Sequence, residues 1–344
     1  MSTQLEQEIA SQPAVIASLL AREMPRVADI CSRLPPFDYV LIAARGSSDH
    51  AAMYAKYAWA ALAGHPIALA APSLHTLYAA PPRMTGALVV GISQSGQSPD
   101  IVAVLTEARR QGCPTLAITN DGTSPLAATA DFVVEFGVGP ERSVAATKTY
   151  TAELAVIAAF AAAFSGDQQR VGELQRLPEA LDATLAGAGN VAHRAERYRY
   201  MDRCVVIGRG YNYATAFELA LKLKELTYVM AIPYSSADFR HGPIATIDAG
   251  APAILVMPSG RAFDDMLDLA HDLQHLGAEL LVISDARQAL ELATTPLPHA
   301  ASVPEWLSPI PTVLPGQLLA LHLALAKGYD PDVPRGLHKV TRTL

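Results

Sequence analysis

GALVVGISQSGQS, residues 86–98, decides the fold, and GAPAILVMPSGRA, residues 250–262, repeats its form. Each is a short, continuously apolar run that ends in a turn bearing Ser and Gly, the pattern of a strand buried on both faces. Working outward, YVLIAA (39–44), TLAIT (115–119), CVVIG (204–208) and LLVIS (280–284) have the same character. Between them lie stretches of helical period at 51–62, 101–111, 147–164, 215–228 and 264–276. Strand and helix in alternation predict βαβ units and parallel sheets covered by helices. The order is also written twice. Gly46 in IAARGSS and Gly210 in VIGRGYN are 164 residues apart, as are Gly86 and Gly250, while GCPTLAITN (112–120) and GAELLVISD (277–285) stand 165 apart. The expectation is an α/β protein of two similar lobes, each a parallel sheet in a three-layer α/β/α arrangement with flavodoxin-like order. Its boundaries are N-terminal helices over 1–34, a first lobe over 35–165, a helical connection over 166–199, a second lobe over 200–328 and a tail over 329–344.

The bulk numbers narrow the function. With 344 residues, 51% of them hydrophobic, the chain can bury two ordinary cores. Its 26 basic and 33 acidic residues leave a net charge of −7 with no basic run, so a nucleic-acid or anionic-membrane partner has no electrostatic basis. Three scattered cysteines, Cys31, Cys113 and Cys204, suit a reducing compartment. The opening MSTQLEQEIA is no signal peptide and no stretch reads as a membrane span, so the expected location is the cytoplasm. No metal and no cofactor is expected.

An anion must therefore be held locally. In SQSGQSPD (93–100), Ser98 is a good N-cap and Pro99 a good first helical residue, so the loop ends at the donor-rich start of a helix. Ser93, Gln94, Ser95 and Ser98 add side-chain donors, and Gly96 lets the backbone approach. Four or five bonds of about 1.5–3 kcal/mol each would hold a phosphate without Lys or Arg. An ordinary capped turn is the competing account. The second copy, MPSGRA (257–262), keeps Ser and Gly but has lost the counterparts of Ser93 and Gln94, so those donors are not needed to build the turn. In ARGSSDH (44–50), Gly46, Ser47 and Ser48 open another helix, and both loops follow parallel strands, where open α/β sheets bind ligands.

Three further stretches carry candidates for proton chemistry. In ELALKLKEL (218–226), Glu218, Lys222 and Glu225 share one helical face, which is either a solvated salt-bridge face or a set of charges on a buried helix. The leucines at 219, 221, 223 and 226 favour the second. His241, in a loop reading HGP, is of a residue type suited to proton transfer, the competing account being a merely hydrogen-bonded histidine after a helix. Lys339 could serve as a nucleophile or a cation, although a lysine in a basic tail is usually just solvated.

Taken together, SQSGQSPD, ERSVAATKTYTAEL (141–154), GRGYNYATAFELALKLKELTY (208–228), DFRHGPIATID (238–248) and PRGLHK (334–339), with EIASQP (8–13) ahead of them, resemble the double sugar-isomerase (SIS) module. The likeness is to the synthase half of the glutamine:fructose-6-phosphate amidotransferases and to the glutaminase-less glucosamine-6-phosphate deaminases. The resemblance implies two SIS-type lobes and phosphate contacts at Ser48, Ser93, Gln94, Ser95 and Ser98. It implies sugar contacts at Gly46, Ser47, Val144 and His338. Glu225 matches the base that moves a proton between C1 and C2, with Lys222 beside it among the catalytic set. His241 matches the ring-opening residue, supplied across a homodimer with a shared active site, and Lys339 the lysine that engages the open-chain carbonyl. Three departures stand out: Arg45 replaces a cysteine, Ser47 and Ser98 replace threonines, and the chain ends VTRTL. No cysteine follows Met1, so glutamine hydrolysis within these residues is not expected. The implied partner is a small sugar phosphate, and the implied reaction is deamination of glucosamine 6-phosphate. The alternatives are an aminotransferase-like synthase subunit, a fructosamine-6-phosphate deglycase and a non-catalytic sugar-phosphate regulator.

Overall fold

The computed structural model describes residues 2–300 and 303–339; the end of the tail, 340–344, lies outside the described residues. The chain opens with α1 (Gln4–Ala10) and α2 (Gln12–Arg33). It divides into a front unit of Ala14–Glu141, Lys148–Gln175 and His338–Leu344, and a rear unit of Met1–Pro13, Arg142–Thr147 and Arg176–Leu337.

In the front unit the order is β1 (Tyr39–Ala43), α3 (Ser47–Ala63), β2 (Ile67–Leu69), α4 (Ser73–Thr76), β3 (Ala87–Ser93), α5 (Pro99–Arg110), β4 (Thr115–Thr119), α6 (Pro125–Thr129), β5 (Phe132–Glu135), α7 (Lys148–Ser165) and α8 (Gln168–Gln175). The five strands are all parallel, in the order β2-β1-β3-β4-β5. Every residue of β3 is buried because helices cover the sheet, which is why its sequence shows no alternation. Lys148 through Ala162 of α7 are buried too, and the helix packs on α3, where Trp59 and Phe160 meet edge to face at 5.9 Å. Burying two such rings contributes about 1.5–3 kcal/mol each.

The rear unit holds α9 (Leu177–Gly187), α10 (Val191–Glu196), β6 (Arg203–Gly208), α11 (Tyr213–Thr227), β7 (Met230–Ser235), α12 (Ser236–Arg240), β8 (Pro252–Val256), α13 (Phe263–His275), β9 (Glu279–Ser284), α14 (Arg287–Leu292), β10 (Thr295–Pro298) and α15 (Pro309–Ala326). Its sheet runs β10-β9-β8-β6-β7, the same parallel order as the first when read from the other edge. That order, second-first-third-fourth-fifth, is flavodoxin-like. The α/β architecture of two similar parallel sheets flanked by helices is therefore the one expected.

Two expectations need correction. Four strands, β2, β5, β7 and β10, were not foreseen, and each lies at the edge of its sheet. An edge strand is covered less, so it lacks the long apolar run by which a central strand is read: β2 is three residues and half exposed, and β7 leaves Met230 and Ile232 in solvent. The other concerns membrane length. Pro309–Ala326 is 18 residues with a hydropathy of 1.3, enough by length and composition to cross a membrane. It is 78% buried within the fold and packs on α9, α10 and α11, so its apolarity serves a core.

Candidate functional site

The front sheet reverses its order between β1 and β3, and the loops that follow these two strands are ARGSS and SQSGQS. Open α/β sheets bind ligands outside such a reversal. Ser93 closes β3, and its Oγ accepts the Gly96 N–H at 3.1 Å, turning the chain back on itself. Gly96 takes φ +61° and lies so close to the next loop that a Cβ there would meet Ser124 Oγ at 2.1 Å. The Gln94 carbonyl accepts the Asn120 N–H at 3.1 Å, which fixes the peptide before Ser95. Ser95 Oγ accepts the Gln97 N–H at 3.3 Å. Ser98 is the N-cap of α5 as expected, yet its hydroxyl makes no cap bond to the helix. The Gln94 and Ser98 side chains form no hydrogen bond among the described residues, so their donors remain available to a ligand.

The neighbouring loop is tied to the start of α5. Arg45 Nε donates to Asp100 Oδ2 at 2.8 Å, with Asp100 fully buried and Arg45 about half exposed. The departure noted at position 45 is thus part of an ion pair with the buried carboxylate in the first turn of α5. Gly46 takes φ +56° and opens α3. Ser48 is buried and donates its hydroxyl to Glu153 Oε1 at 2.8 Å, so what it can offer an anion is its main-chain N–H at the unpaired start of the helix. Burial raises the carboxyl of Asp49 above its ordinary value, against the opposing charges of His50 and Arg45. A separate open cavity of about 580 Å³ beside α5 is lined by His75, Gln97, Pro99, Val102 and Thr106, and none of the expected phosphate residues lines it.

The tail lysine has a partner in this unit. Lys339 Nζ lies 2.7 Å from Oε2 of Glu141, which is fully buried. The same carboxylate accepts the Thr149 N–H at 3.2 Å and its hydroxyl at 2.7 Å, so it caps α7 from outside. His338 is exposed.

In the rear unit, Lys222 is 1% exposed and sits between two carboxylates, 3.4 Å from Glu218 and 2.5 Å from Glu225. Glu218 is completely buried, whereas Glu225 is 22% exposed. The solvated salt-bridge face is ruled out for these three residues: Glu218 and Lys222 are in the interior, and of the three only Glu225 reaches solvent. His241 follows α12 and is exposed. Val144 is half-buried on the 142–147 loop. His271 and His275 lie four apart on α13, a spacing that can pair on a metal, but no group of three or more His, Cys, Asp or Glu gathers among the described residues.

A duplicated sheet, reversed in order at the same place in each copy, invites comparison with known proteins. The SIS domain model matches residues 38–163 and again 198–327, most of the chain. The chain belongs to the SIS family. Two of its SIS relatives are informative for activity. A glutamine–fructose-6-phosphate aminotransferase (isomerizing) of Zymomonas mobilis is 36% identical over 97% of this chain. A candidate phosphosugar isomerase of Silicibacter pomeroyi is 31% identical, with a TM-score of 0.86 over 96% of this chain and 100% of that one. The C-terminal domain of the Francisella tularensis glucosamine-fructose-6-phosphate aminotransferase aligns with a TM-score of 0.88 and 26% identity, over 97% and 99% of the two chains. The SIS chain spans 58% of the length of the Zymomonas relative. At this level the chain is a SIS-family relative of that candidate phosphosugar isomerase and of the C-terminal domain of those aminotransferases.

Some buried acidic residues of the two units leave little or no mark in the sequence. Glu153 stands alone in the apolar run TAELAVIAAFAAAF, and a single charge in a buried helix was a usable signal. Asp100 read as an ordinary acidic residue in a first helical turn, and nothing local marked its pairing with Arg45. Glu8 holds backbone 134 residues away and Glu141 meets Lys339 across 198, which no local pattern reveals.

Proposed function

We propose that this SIS protein acts on an amino-hexose 6-phosphate and, most specifically, deaminates glucosamine 6-phosphate to fructose 6-phosphate and ammonia. The observation that carries the reading is Glu225: a carboxylate with one edge in solvent, held by a lysine that is itself buried against a second carboxylate. Such a group can take up and give back a proton without its partner leaving. The cradle residues Ser93, Gln94, Ser95 and Ser98, with the start of α3, are the candidates for the phosphate. His241 would pass a proton to the ring oxygen as the anomeric hydroxyl loses its own, opening the sugar. Glu225 would then remove the C2 proton and return it to C1, leaving an imine at C2. Water adds to that carbon, and the carbinolamine expels ammonia. Lys339 would hold the open-chain oxygen as a cation, which requires it to exchange Glu141 for substrate. Free thiols at Cys31, Cys113 and Cys204 suit a cytosolic setting; burial pushes Cys31 and Cys204 up to about 12.

The deciding experiment follows ammonia and fructose 6-phosphate together from glucosamine 6-phosphate, with no glutamine present. Equal release of both is expected, and Glu225→Gln should abolish it while inorganic phosphate still competes at the cradle. Full turnover by that variant would remove Glu225 as the base. The aminotransferase relatives favour a second reading, the synthase direction. Formation of glucosamine 6-phosphate from fructose 6-phosphate and ammonium, without net deamination, would select it. The exposure of His241 suits service to a second copy's site. Mixing Glu225→Gln with His241→Ala chains should then restore part of the activity that each lacks.

A further inference from the structure

We propose that α1 is a positioning element for this site, with Glu8 as the residue through which it acts. The proposal rests on the function proposed above for its expectation that Val144 and the tail meet substrate.

Glu8 is 8% exposed, and its carboxylate gathers the start of the 142–147 loop. Oε1 accepts the Arg142 N–H at 2.6 Å; Oε2 accepts the Ser143 N–H at 3.2 Å and the Ser143 hydroxyl as well. Two successive backbone donors and a side chain on one carboxylate fix both the position and the direction of a peptide. The next residue is Val144. The other end of α1 is held by the C-terminal tail: Asp332 accepts the Gln4 N–H at 2.8 Å and the Leu5 N–H at 2.9 Å, taking two donors that a helix start leaves unpaired. Thr3 accepts a third, from Glu6. Three residues after Asp332, the Arg335 N–H donates to the Tyr228 hydroxyl at 2.7 Å and its guanidinium lies over the Tyr228 ring at 4.3 Å. Tyr228 is the cap of α11, three residues beyond Glu225, and takes φ +58° there.

One seven-residue helix, seated by fully buried Leu5 and Ile9, therefore joins the loop that carries Val144 to the tail that leads to His338 and Lys339. The tail is fastened in turn to the end of the helix that carries Glu225.

The test compares Glu8→Gln with Glu8→Asp in the full chain by hydrogen exchange, inhibition by inorganic phosphate and turnover of glucosamine 6-phosphate. In Glu8→Gln, faster exchange confined to 142–147 is expected, with phosphate inhibition unchanged and kcat down about tenfold as charge-assisted bonds become neutral ones. Glu8→Asp should recover part of the loss. Ser143→Ala, which removes one bond, should show a smaller change of the same kind and covers the case in which Glu8→Gln does not fold. Unchanged exchange at 142–147, or exchange raised equally across the rear unit, would overturn the proposal. If the unaltered protein proves inactive on this substrate, the function falls, while the hydrogen-exchange comparison still decides whether Glu8 positions the 142–147 loop.

Discussion

The two sheets are built alike, yet the loops and helices that matter for chemistry differ between them. At the repeat spacing of 164 residues, Glu218, Lys222 and Glu225 of α11 correspond to Tyr54, Ala58 and Ala61 of α3. The front helix thus has no charge where the rear helix has a buried triad. The cradles differ in the opposite sense. In front, the hydroxyl of Ser98 and the side chain of Gln94 are left open. Behind, Ser98 is replaced by Ala262 and Gln94 by Pro258, and carboxylates take the backbone donors: Asp285 accepts the Ser259 N–H at 2.7 Å and Glu305 the Ala262 N–H at 3.3 Å. Glu305 also fills the space beside Gly260, where a Cβ would meet its Cδ at 2.3 Å. Its counterpart 164 residues earlier is Glu141, which is occupied with Thr149 and Lys339 instead. One frame is written twice, and in the rear copy carboxylates hold backbone donors of the loop that corresponds to the proposed phosphate cradle of the front copy.

The largest way to break this contrast is to make the rear helix like the front one. Lys222→Ala installs the residue found at Ala58 and leaves Glu218, at zero exposure, without its ammonium 3.4 Å away. Removing one partner of a buried pair costs about 3–5 kcal/mol. Urea unfolding should report a loss of that size, and Glu218→Gln combined with Lys222→Met should recover much of it, because a neutral pair carries no stranded charge. A loss within about 0.5 kcal/mol, the range of a surface substitution, would mean that the triad is not buried as described.

A smaller effect is expected from closing the front cradle. Gly96→Ala puts a methyl 2.1 Å from Ser124 Oγ at a backbone angle that disfavours side chains. Ser124 caps α6 through the Ala127 N–H, so it cannot retreat freely. The loop must shift, and losing one or two of its bonds to phosphate should weaken inorganic phosphate binding about ten- to a hundredfold, measured by calorimetry. The same substitution at Gly260 should leave that affinity untouched. Equal effects at the two glycines would erase the distinction between the cradles.

How far this was legible follows from where each contact closes. The central strands were readable because burial on both faces removes polar residues from a run such as Ala87–Ser93. Edge strands such as Ile67–Leu69 lack that signature. The cradle loop was readable because a strand, a glycine turn and a capped helix are consecutive in sequence. The burial of Lys222 was foreshadowed by the leucines around it, although its contact with both carboxylates needed coordinates. Arg45 with Asp100, 55 residues apart, and Glu8 with Ser143, 135 apart, were beyond any local pattern, since only the assembled fold brings such charges together.

The weakest effect, and the finest test, lies at Glu305. If this carboxylate acts as an internal anion, Glu305→Ala should vacate the space beside Gly260 and return the Ala262 N–H to solvent. Equilibrium dialysis with inorganic phosphate should then rise from one to two equivalents per chain. The second should be weak, at a Kd of about 1 mM, because two or three donors contribute only about 4 kcal/mol in all. Asp285 still holds the Ser259 N–H, and Met257 and Pro258 supply no donor side chain where the front cradle has Ser93 and Gln94. A second equivalent in Glu305→Ala would assign the silence of the rear cradle to one side chain. Stoichiometry fixed at one, with the fold intact, would place it in the lost donors of 257–258 instead, and converting Met257 to Ser in the same background would then be the change that opens the site.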